Sequence, residues 1–201
     1  MEYTLKVLAF PPRVHARHFL EINPIGTVPA IIIDGVLMTE SAAICEYLTQ
    51  RYGQTQLAVQ PEEPDYPGYL NWLHYGEATL TFPQTIILRY GQFEEASRRL
   101  PQAVEDYSKW FLGRLRAIER ALEGRTYLCQ NRFTVADISV GYALMLADFI
   151  GLRNAFTPHV DVYWRTLQAH PSYLKALRVQ ETAAVEQGVP LIHAPLIGKN
   201  P

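Results

Sequence analysis

The N-terminal part of the chain alternates between the apolar spacing of strands and that of helices. Apolar and polar positions alternate over residues 3–9, which predicts a β-strand, and residues 13–22 suit one or two helical turns. Residues 30–38 combine a β-branched run with an Asp-Gly turn and a second apolar segment, a pattern typical of a β-hairpin. From residue 40 to 52 the apolar period becomes helical. The predicted order of elements is therefore βαββα.

The remainder of the chain is helical in pattern and follows a proline-rich segment. Residues 56–66 carry prolines and acidic side chains without an apolar period, so we predict a linker there. Helical spacing recurs over residues 68–90 (with a bend expected near Pro83), 100–122, 134–149, 160–168 and 172–185, and the tail from 188 to 201 is predicted to be coil. The sequence thus predicts an α/β domain at 1–55, the linker, and an all-helical domain at 67–201.

Composition and charge exclude several classes of protein. The 201 residues are 48% hydrophobic and carry a formal net charge of −2, which argues against nucleic acid as a partner. No apolar run reaches the ~18 residues of a membrane span, and the first residues lack the features of a signal peptide. Cys45 and Cys129 lie in apolar surroundings, which favours buried structural thiols and a cytoplasmic location. His15 and His18 have no third ligand nearby, so we predict no metal site.

The dipeptide Val28-Pro29 stands at the start of a predicted strand. Proline cannot donate to a sheet ladder, so this position suits it. If the peptide bond is cis, the backbone groups of Val28 face solvent and can pair with a peptide-like ligand as an added strand. The alternative is a plain trans turn, which base rates favour because only about 5–6% of X–Pro bonds are cis.

The segment Thr39-Glu40-Ser41 leads directly from a predicted strand into a predicted helix. A helix N-terminus favours an anion, so Ser41 suits a carboxylate, and Glu40 beside it can accept from an ammonium group. The alternative is an ordinary helix cap, since all three residue types are common at helix starts. Together with Val28, these residues suit a small γ-linked peptide whose amino-acid head group and backbone are bound separately.

The run from residue 23 to 48 strongly resembles the N-terminal domain of glutathione transferases. It contains Asn-Pro-x-Gly-x-Val-Pro, Asp-Gly, Glu-Ser-x-Ala-Ile and Tyr-Leu in that order. The resemblance implies an α/β plus all-α fold: a truncated thioredoxin-like domain followed by a helical bundle. It also implies that Val28 bonds the cysteinyl backbone of glutathione beside a cis-Pro29, that Glu40 and Ser41 bind the γ-glutamyl head, and that Thr27 flanks this site.

The positions of three further groups of residues also predict roles for them. Thr134 and Asp137 have capping-box spacing and resemble the capping motif of the family's core helix, so we assign them to folding. An aromatic stripe that includes His74, Tyr75 and Phe82 can line a pocket for an electrophile, although core or dimer interface is the commoner use of such a stripe. The basic residues that can meet the glycyl carboxylate are Arg13, Arg17 and His18, for which ordinary surface charge is the alternative.

The resemblance also implies a strand and helix ahead of residue 3, which carry the family's catalytic Tyr, Ser or Cys. We expect that this sequence is an N-terminally shortened form, so the catalytic residue is unassigned. The function implied is conjugation of glutathione, as co-substrate and without another cofactor, to small hydrophobic electrophiles by a homodimer. The alternatives are a glutathione-dependent disulfide reductase or peroxidase, and a non-catalytic binding or dimerisation module.

Overall fold

The computed structural model describes residues 1–53 and 55–191, which form two compact units. The first unit holds residues 1–53 and 168–191, and the second holds residues 55–167. The α-helices are α1 (Pro12–His15), α2 (Ser41–Arg51), α3 (Tyr66–His74), α4 (Phe82–Leu88), α5 (Pro101–Ala121), α6 (Val135–Phe149), α7 (Pro158–Gln168) and α8 (Pro171–Glu186). None of these helices has the length and apolar character needed to cross a membrane.

The predicted hairpin of the first unit is confirmed. Strands β1 (Ile31–Ile33) and β2 (Val36–Met38) pair antiparallel, with Ile31 opposite Met38. Asp34 and Gly35 both have positive φ, of 51° and 79°, as a two-residue hairpin turn of this hand requires. The helix predicted after the hairpin is α2, and the turns predicted over residues 13–22 are α1 followed by a 3₁₀ segment at Arg17–Glu21.

The strand predicted at residues 3–9 is wrong. No strand pairs with this segment within the described part of the chain, and alternation alone cannot form a ladder without a partner. The side-chain amide of Gln187, which follows α8, takes that place: the Val7 N–H donates to Gln187 Oε1 at 3.0 Å, and Gln187 Nε2 donates to the Leu5 carbonyl at 3.0 Å. This contact ties the described C-terminal residues to the first unit.

Within the second unit, helical turns run continuously from residue 66 to 93. Two π-helical segments, Tyr75–Thr81 and Arg89–Phe93, flank α4. The first of them ends just before Pro83, whose missing N–H would leave an α-helical carbonyl without its donor. The backbone of Gly76, within this segment, passes so close to Ser139 of α6 that a Cβ would lie 2.4 Å from Ser139 Oγ. Ser139 Oγ in turn donates to the Leu73 carbonyl at 2.7 Å.

Helices α5, α6 and α7 supply the rest of the core of the second unit, and the helices predicted there are confirmed. Their apolar stripes face inward as the 3.6-residue period predicts. The fully buried side chains include Leu73, Leu80, Ile87, Phe111, Leu115, Ile118, Val140, Leu144 and Trp164. This packing removes from water most of the large apolar side chains that recur every three or four residues in the sequence.

The capping box predicted at the start of α6 is confirmed. Asp137 Oδ2 accepts from the N–H of Thr134 at 2.8 Å and from its hydroxyl at 3.0 Å. The other carboxylate oxygen accepts from the Leu128 N–H at 3.1 Å and the Tyr163 hydroxyl at 2.8 Å. Burial raises the pKa of Asp137, and these donors oppose that rise. The residue therefore joins three parts of the second unit in one buried polar network.

The segment predicted as a linker is held within the second unit. Arg132 binds the Glu63 carboxylate through two N–H groups and also donates to the Ala58 carbonyl at 2.9 Å. Asp65 accepts from the Gln130 N–H at 2.8 Å. The division into 1–55, 56–66 and 67–201 stays a prediction, with the difference that residues 168–191 group here with the first unit. Most of the predicted coil tail, from residue 192 onward, lies outside the described residues.

Candidate functional site

The register of the hairpin brings the two predicted ligand-binding segments to one end of the first unit's sheet. Ile31 pairs with Met38 at the end of the hairpin opposite the turn. Val28 and Pro29 come shortly before Ile31, and Glu40 and Ser41 come shortly after Met38, so both segments adjoin this last pair of the hairpin. Val28, whose backbone could pair with a peptide, and the start of α2, which could bind the head group of that peptide, therefore both adjoin the same end of the hairpin.

Val28 presents its backbone at this end. The Val28–Pro29 peptide bond is cis, and Val28 is 45% exposed. Among the described residues, no hydrogen bond uses the N–H or C=O of Val28. Pro29 cannot donate, so it adds no competing N–H next to these groups. An extended ligand could therefore pair with Val28 as an added strand would.

Helix α2 begins where β2 ends. Glu40 occupies the N-cap position in extended conformation, and its carbonyl accepts the Ile44 N–H at 2.8 Å. Glu40 is therefore the N-cap by position, but its exposed carboxylate makes no capping hydrogen bond. Ser41 is half-buried in the first turn of an 11-residue helix, where the helix dipole favours negative charge. The Glu40 carboxylate suits the ammonium group of an amino-acid head group, and the N-terminus of α2 suits the carboxylate of the same head group.

A buried asparagine, the first residue of the Asn-Pro-x-Gly-x-Val-Pro motif, organises the loop before Val28. Asn23 is 1% exposed. Its Nδ2 donates to the Thr27 carbonyl at 2.9 Å and to Thr27 Oγ1 at 3.2 Å, while its Oδ1 accepts the Ile25 N–H at 3.2 Å. Asn followed by Pro is a frequent turn signal, and this dipeptide is the sequence feature that could have indicated hydrogen bonds from Asn23 to the residues of the turn. Thr27 itself is exposed.

The predicted electrophile-pocket residues lie in the second unit. The Tyr75 hydroxyl donates to the Arg114 carbonyl at 3.0 Å, and burial raises the pKa of Tyr75 against the opposing charge of Arg114. His74 is exposed, and Phe82 is 50% exposed. Tyr75 is therefore engaged by the backbone of α5, while His74 and Phe82 present their side chains to solvent. Their role as a pocket stays a prediction.

The remaining candidates divide between exposed basic residues and thiols. Arg13, Arg17 and His18 are all exposed in the first unit, where their contact with a carboxylate stays a prediction. Cys129 is buried, and burial raises the pKa of its thiol to about 12, so it is a poor nucleophile. Cys45 was expected to be fully buried, but the structure shows it half-buried.

No group of metal-ligating side chains occurs among the residues the structure describes, and the catalytic residue stays unassigned.

Comparison with known proteins gives the same family throughout. Residues 2–56 match the family described as "Glutathione S-transferase, N-terminal domain". The glutathione S-transferase GstA of Escherichia coli O157:H7 is 26% identical over 163 residues, which are 81% of this chain and 78% of that protein. The match therefore extends well beyond the N-terminal domain into the helical unit.

Solved structures agree with the sequence relatives. A sphingomonad glutathione S-transferase complexed with glutathione is 25% identical, with a TM-score of 0.69 over 81% of this chain and 78% of that one. Ure2p in complex with S-hexylglutathione is also 25% identical, with a TM-score of 0.69 over 81% of this chain and 80% of that one. The fold is a thioredoxin-like domain with a helical domain. The family match over residues 2–56, the curated relatives and the solved structures together support the glutathione transferase superfamily as the family of this chain.

Proposed function

We propose that the protein is a glutathione transferase that joins the thiol of glutathione to small hydrophobic electrophiles. The observation that carries the proposal is the end of the hairpin opposite its turn. There the chain enters β1 from Val28, whose backbone makes no hydrogen bond to another described residue, and leaves β2 for the N-terminus of α2. The family relatives, named glutathione S-transferases, support the same activity. A tripeptide with a γ-linked head group has both features that such a site would recognise.

Each end of glutathione has a partner of suitable chemistry. The backbone of the cysteinyl residue would accept from and donate to Val28, as in strand addition. The γ-glutamyl carboxylate would lie at the start of α2, near Ser41, where backbone N–H groups and the helix dipole stabilise an anion. The γ-glutamyl ammonium would bind the exposed carboxylate of Glu40, a charge-assisted contact stronger than a neutral one.

The reaction releases the thiol proton of glutathione and one leaving group from the second substrate. The bound thiol loses its proton to give the thiolate, whose sulfur lone pair forms a bond to an electrophilic carbon of the second substrate. The leaving group departs with the electron pair of the bond that breaks, for example as chloride, and the proton passes to solvent. A hydroxyl or amide donor that lowers the pKa of the glutathione thiol would raise the thiolate fraction near neutral pH.

The proposal includes three finer features. The enzyme would be a homodimer, as the resemblance implies. The second substrate would pack against aromatic side chains such as Tyr75, with His74 and Phe82 near it, because a small apolar electrophile is held mainly by area removed from water. The location would be the cytoplasm, to which two unbridged cysteines are suited.

Calorimetric titration of the folded chain with glutathione tests the proposal. Binding is expected, and Ser41→Ala and Glu40→Gln should each weaken it by about tenfold, the size expected for loss of a hydrogen bond to a charged group. Glu21→Gln, which removes another exposed carboxylate of the same unit, is the matched control and should bind like the wild type.

An activity assay then identifies the reaction. Conjugation of chlorodinitrobenzene is expected to exceed reduction of a mixed disulfide assayed in parallel. The reverse order would favour the disulfide reductase alternative. A well-folded chain that shows no heat with glutathione and no conjugation would contradict the proposed function.

A further inference from the structure

Asn23 is the most completely bonded buried polar side chain near the candidate site. Its amide group donates twice to Thr27 and accepts once from Ile25. Its own backbone N–H donates to the Phe19 carbonyl at 2.8 Å, and its carbonyl accepts the Gly26 N–H at 2.9 Å. Burying an amide costs free energy unless its polar groups are hydrogen-bonded. The hydrogen bonds of Asn23 offset that cost, and together they fix the geometry of the turn.

The contact with the Thr27 carbonyl has a direct consequence for Val28. That carbonyl and the Val28 N–H belong to one peptide unit, which is planar and is not among the cis bonds of the chain. In a planar trans unit the C=O and N–H point in opposite directions. Asn23 Nδ2 draws the Thr27 oxygen toward a buried side chain, and so it turns the Val28 N–H away from that side chain.

Packing around the turn holds it in the same position. Gly26 has a φ of +69°, a left-handed conformation that glycine adopts without strain. A Cβ at this position would lie 2.9 Å from Leu20 Cδ2 and 3.0 Å from Arg13 Cβ, so the loop sits directly against the preceding helical turns. The turn that leads into the Thr27–Val28 peptide unit is therefore held by the hydrogen bonds of Asn23 and by the close packing at Gly26.

We propose that Asn23 is a positioning residue for glutathione, because it orients the Val28 N–H that the cysteinyl backbone of the ligand would use. The inference rests on the proposed function and deepens it. Asn23 touches neither the ligand nor the reacting sulfur. It acts through the turn that ends in the Thr27–Val28 peptide unit, so its loss should affect recognition of glutathione and leave recognition of the electrophile intact.

The test compares Asn23→Asp and Asn23→Ala with the wild type in steady-state kinetics. Asn23→Asp keeps the acceptor for the Ile25 N–H, removes the two donors to Thr27 and adds a buried carboxylate, whereas Asn23→Ala removes the donors without adding charge. In both variants the KM for glutathione should rise about tenfold, with kcat and the KM for the electrophile within about twofold of wild type. Gln84→Met, which removes a buried amide bonded to the Leu80 and Ala143 carbonyls in the second unit, is the control.

Amide hydrogen exchange supplies a measurement on the wild type that does not depend on the variants folding. The Ile25 and Gly26 amides should be protected in the ligand-free protein, and the Val28 amide should exchange rapidly until glutathione protects it. A Val28 amide already protected without glutathione would overturn the inference. So would Asn23 variants whose melting temperature falls while the KM for glutathione stays unchanged, since Asn23 would then serve folding alone.

The result for the wild type separates this inference from the proposed function. If the folded wild-type chain binds glutathione and the Asn23 variants bind it equally well, the inference fails and the proposed function stands. If the wild-type chain does not bind glutathione at all, the proposed function fails, and the inference that rests on it fails with it. Where the wild type binds glutathione, the Gln84→Met control should lose stability without a change in the KM for glutathione.

Discussion

The guanidinium of Arg132 holds the carboxylate of Glu63 by two hydrogen bonds, of 2.8 Å to Oε2 and 2.7 Å to Oε1. Such a bidentate pair is geometrically specific in a way that a single contact is not. The Gln60 N–H donates to the same carboxylate at 2.7 Å. A segment predicted from its prolines to be a linker is thereby fixed to the loop that precedes α6.

This ion pair predicts a pH dependence of stability. Hydrogen bonding by Arg132, and then by the Gln60 N–H, lowers the pKa of Glu63 from its usual 4.5 to about 2. The unfolded chain therefore takes up this proton at a higher pH than the folded chain does. The stabilisation is complete above pH 4.5 and is lost as the pH falls toward about 2. Thermal unfolding across this range should show a steeper loss for the wild type than for Glu63→Gln.

The control for this experiment is Glu105→Gln. Glu105 pairs with Lys109 on the exposed face of α5, where both side chains are more than half exposed. Surface pairs of this kind contribute little, so the variant should follow the wild-type pH profile. If Glu63→Gln also followed it, the pair with Arg132 would not contribute to acid stability.

Gly76 should not tolerate even one added carbon. In Gly76→Ala the Cβ would meet Ser139 Oγ at 2.4 Å and the Ser139 backbone at 2.5 and 2.6 Å, and backbone atoms cannot rotate away. We expect a loss of about 2–4 kcal/mol in the free energy of unfolding, at or above the usual cost of overpacking. Gly68→Ala in α3 is the matched control, because its Cβ would meet nothing within 4 Å. The control should be neutral or more stable by about 0.5–1 kcal/mol, measured by urea unfolding.

The Asp137 network predicts an unequal pair of variants. Asp137→Ala leaves buried donors of Leu128, Thr134 and Tyr163 without their acceptor, so a loss of about 3 kcal/mol or more is expected. Tyr163→Phe removes one donor and leaves the carboxylate its others, for a loss of about 1 kcal/mol. Chemical denaturation of both variants measures the difference. Equal losses would mean that the carboxylate has no role beyond its bond to Tyr163.

Gln187 should control the order of the segment near Val7. Gln187→Ala removes both hydrogen bonds to this backbone, so the Val7 amide should exchange with solvent at least about tenfold faster. Gln180→Ala changes another exposed glutamine, on α8 itself, and should leave that exchange unchanged. Proteolysis within residues 3–9 should rise in parallel in the first variant. Unchanged exchange at Val7 would show that Gln187 does not hold the segment.

The candidate site was predictable from the sequence as far as its parts are local. Val28, Glu40 and Ser41 follow from short motifs, and the hairpin between them follows from Asp34-Gly35. The clamp by Asn23 spans only four residues, yet the sequence did not show that its side chain is buried or which carbonyl it would bind. Burial depends on what packs against a turn, and motif spacing carries no information about that.

The sequence by itself determined the elements whose cause is local: the helices by their period, the hairpin by its turn, and the start of α6 by the spacing of Thr134 and Asp137. Tertiary structure alone decided the pairings between distant residues. Residues 3–9 have no partner strand among the described residues, and the Val7 N–H instead donates to the side chain of Gln187, 180 residues away. Arg132 binds Glu63, from which it is separated by 69 residues in the sequence. Period and capping act through neighbouring residues, whereas a hydrogen bond across the fold exists only once packing has brought its two groups together.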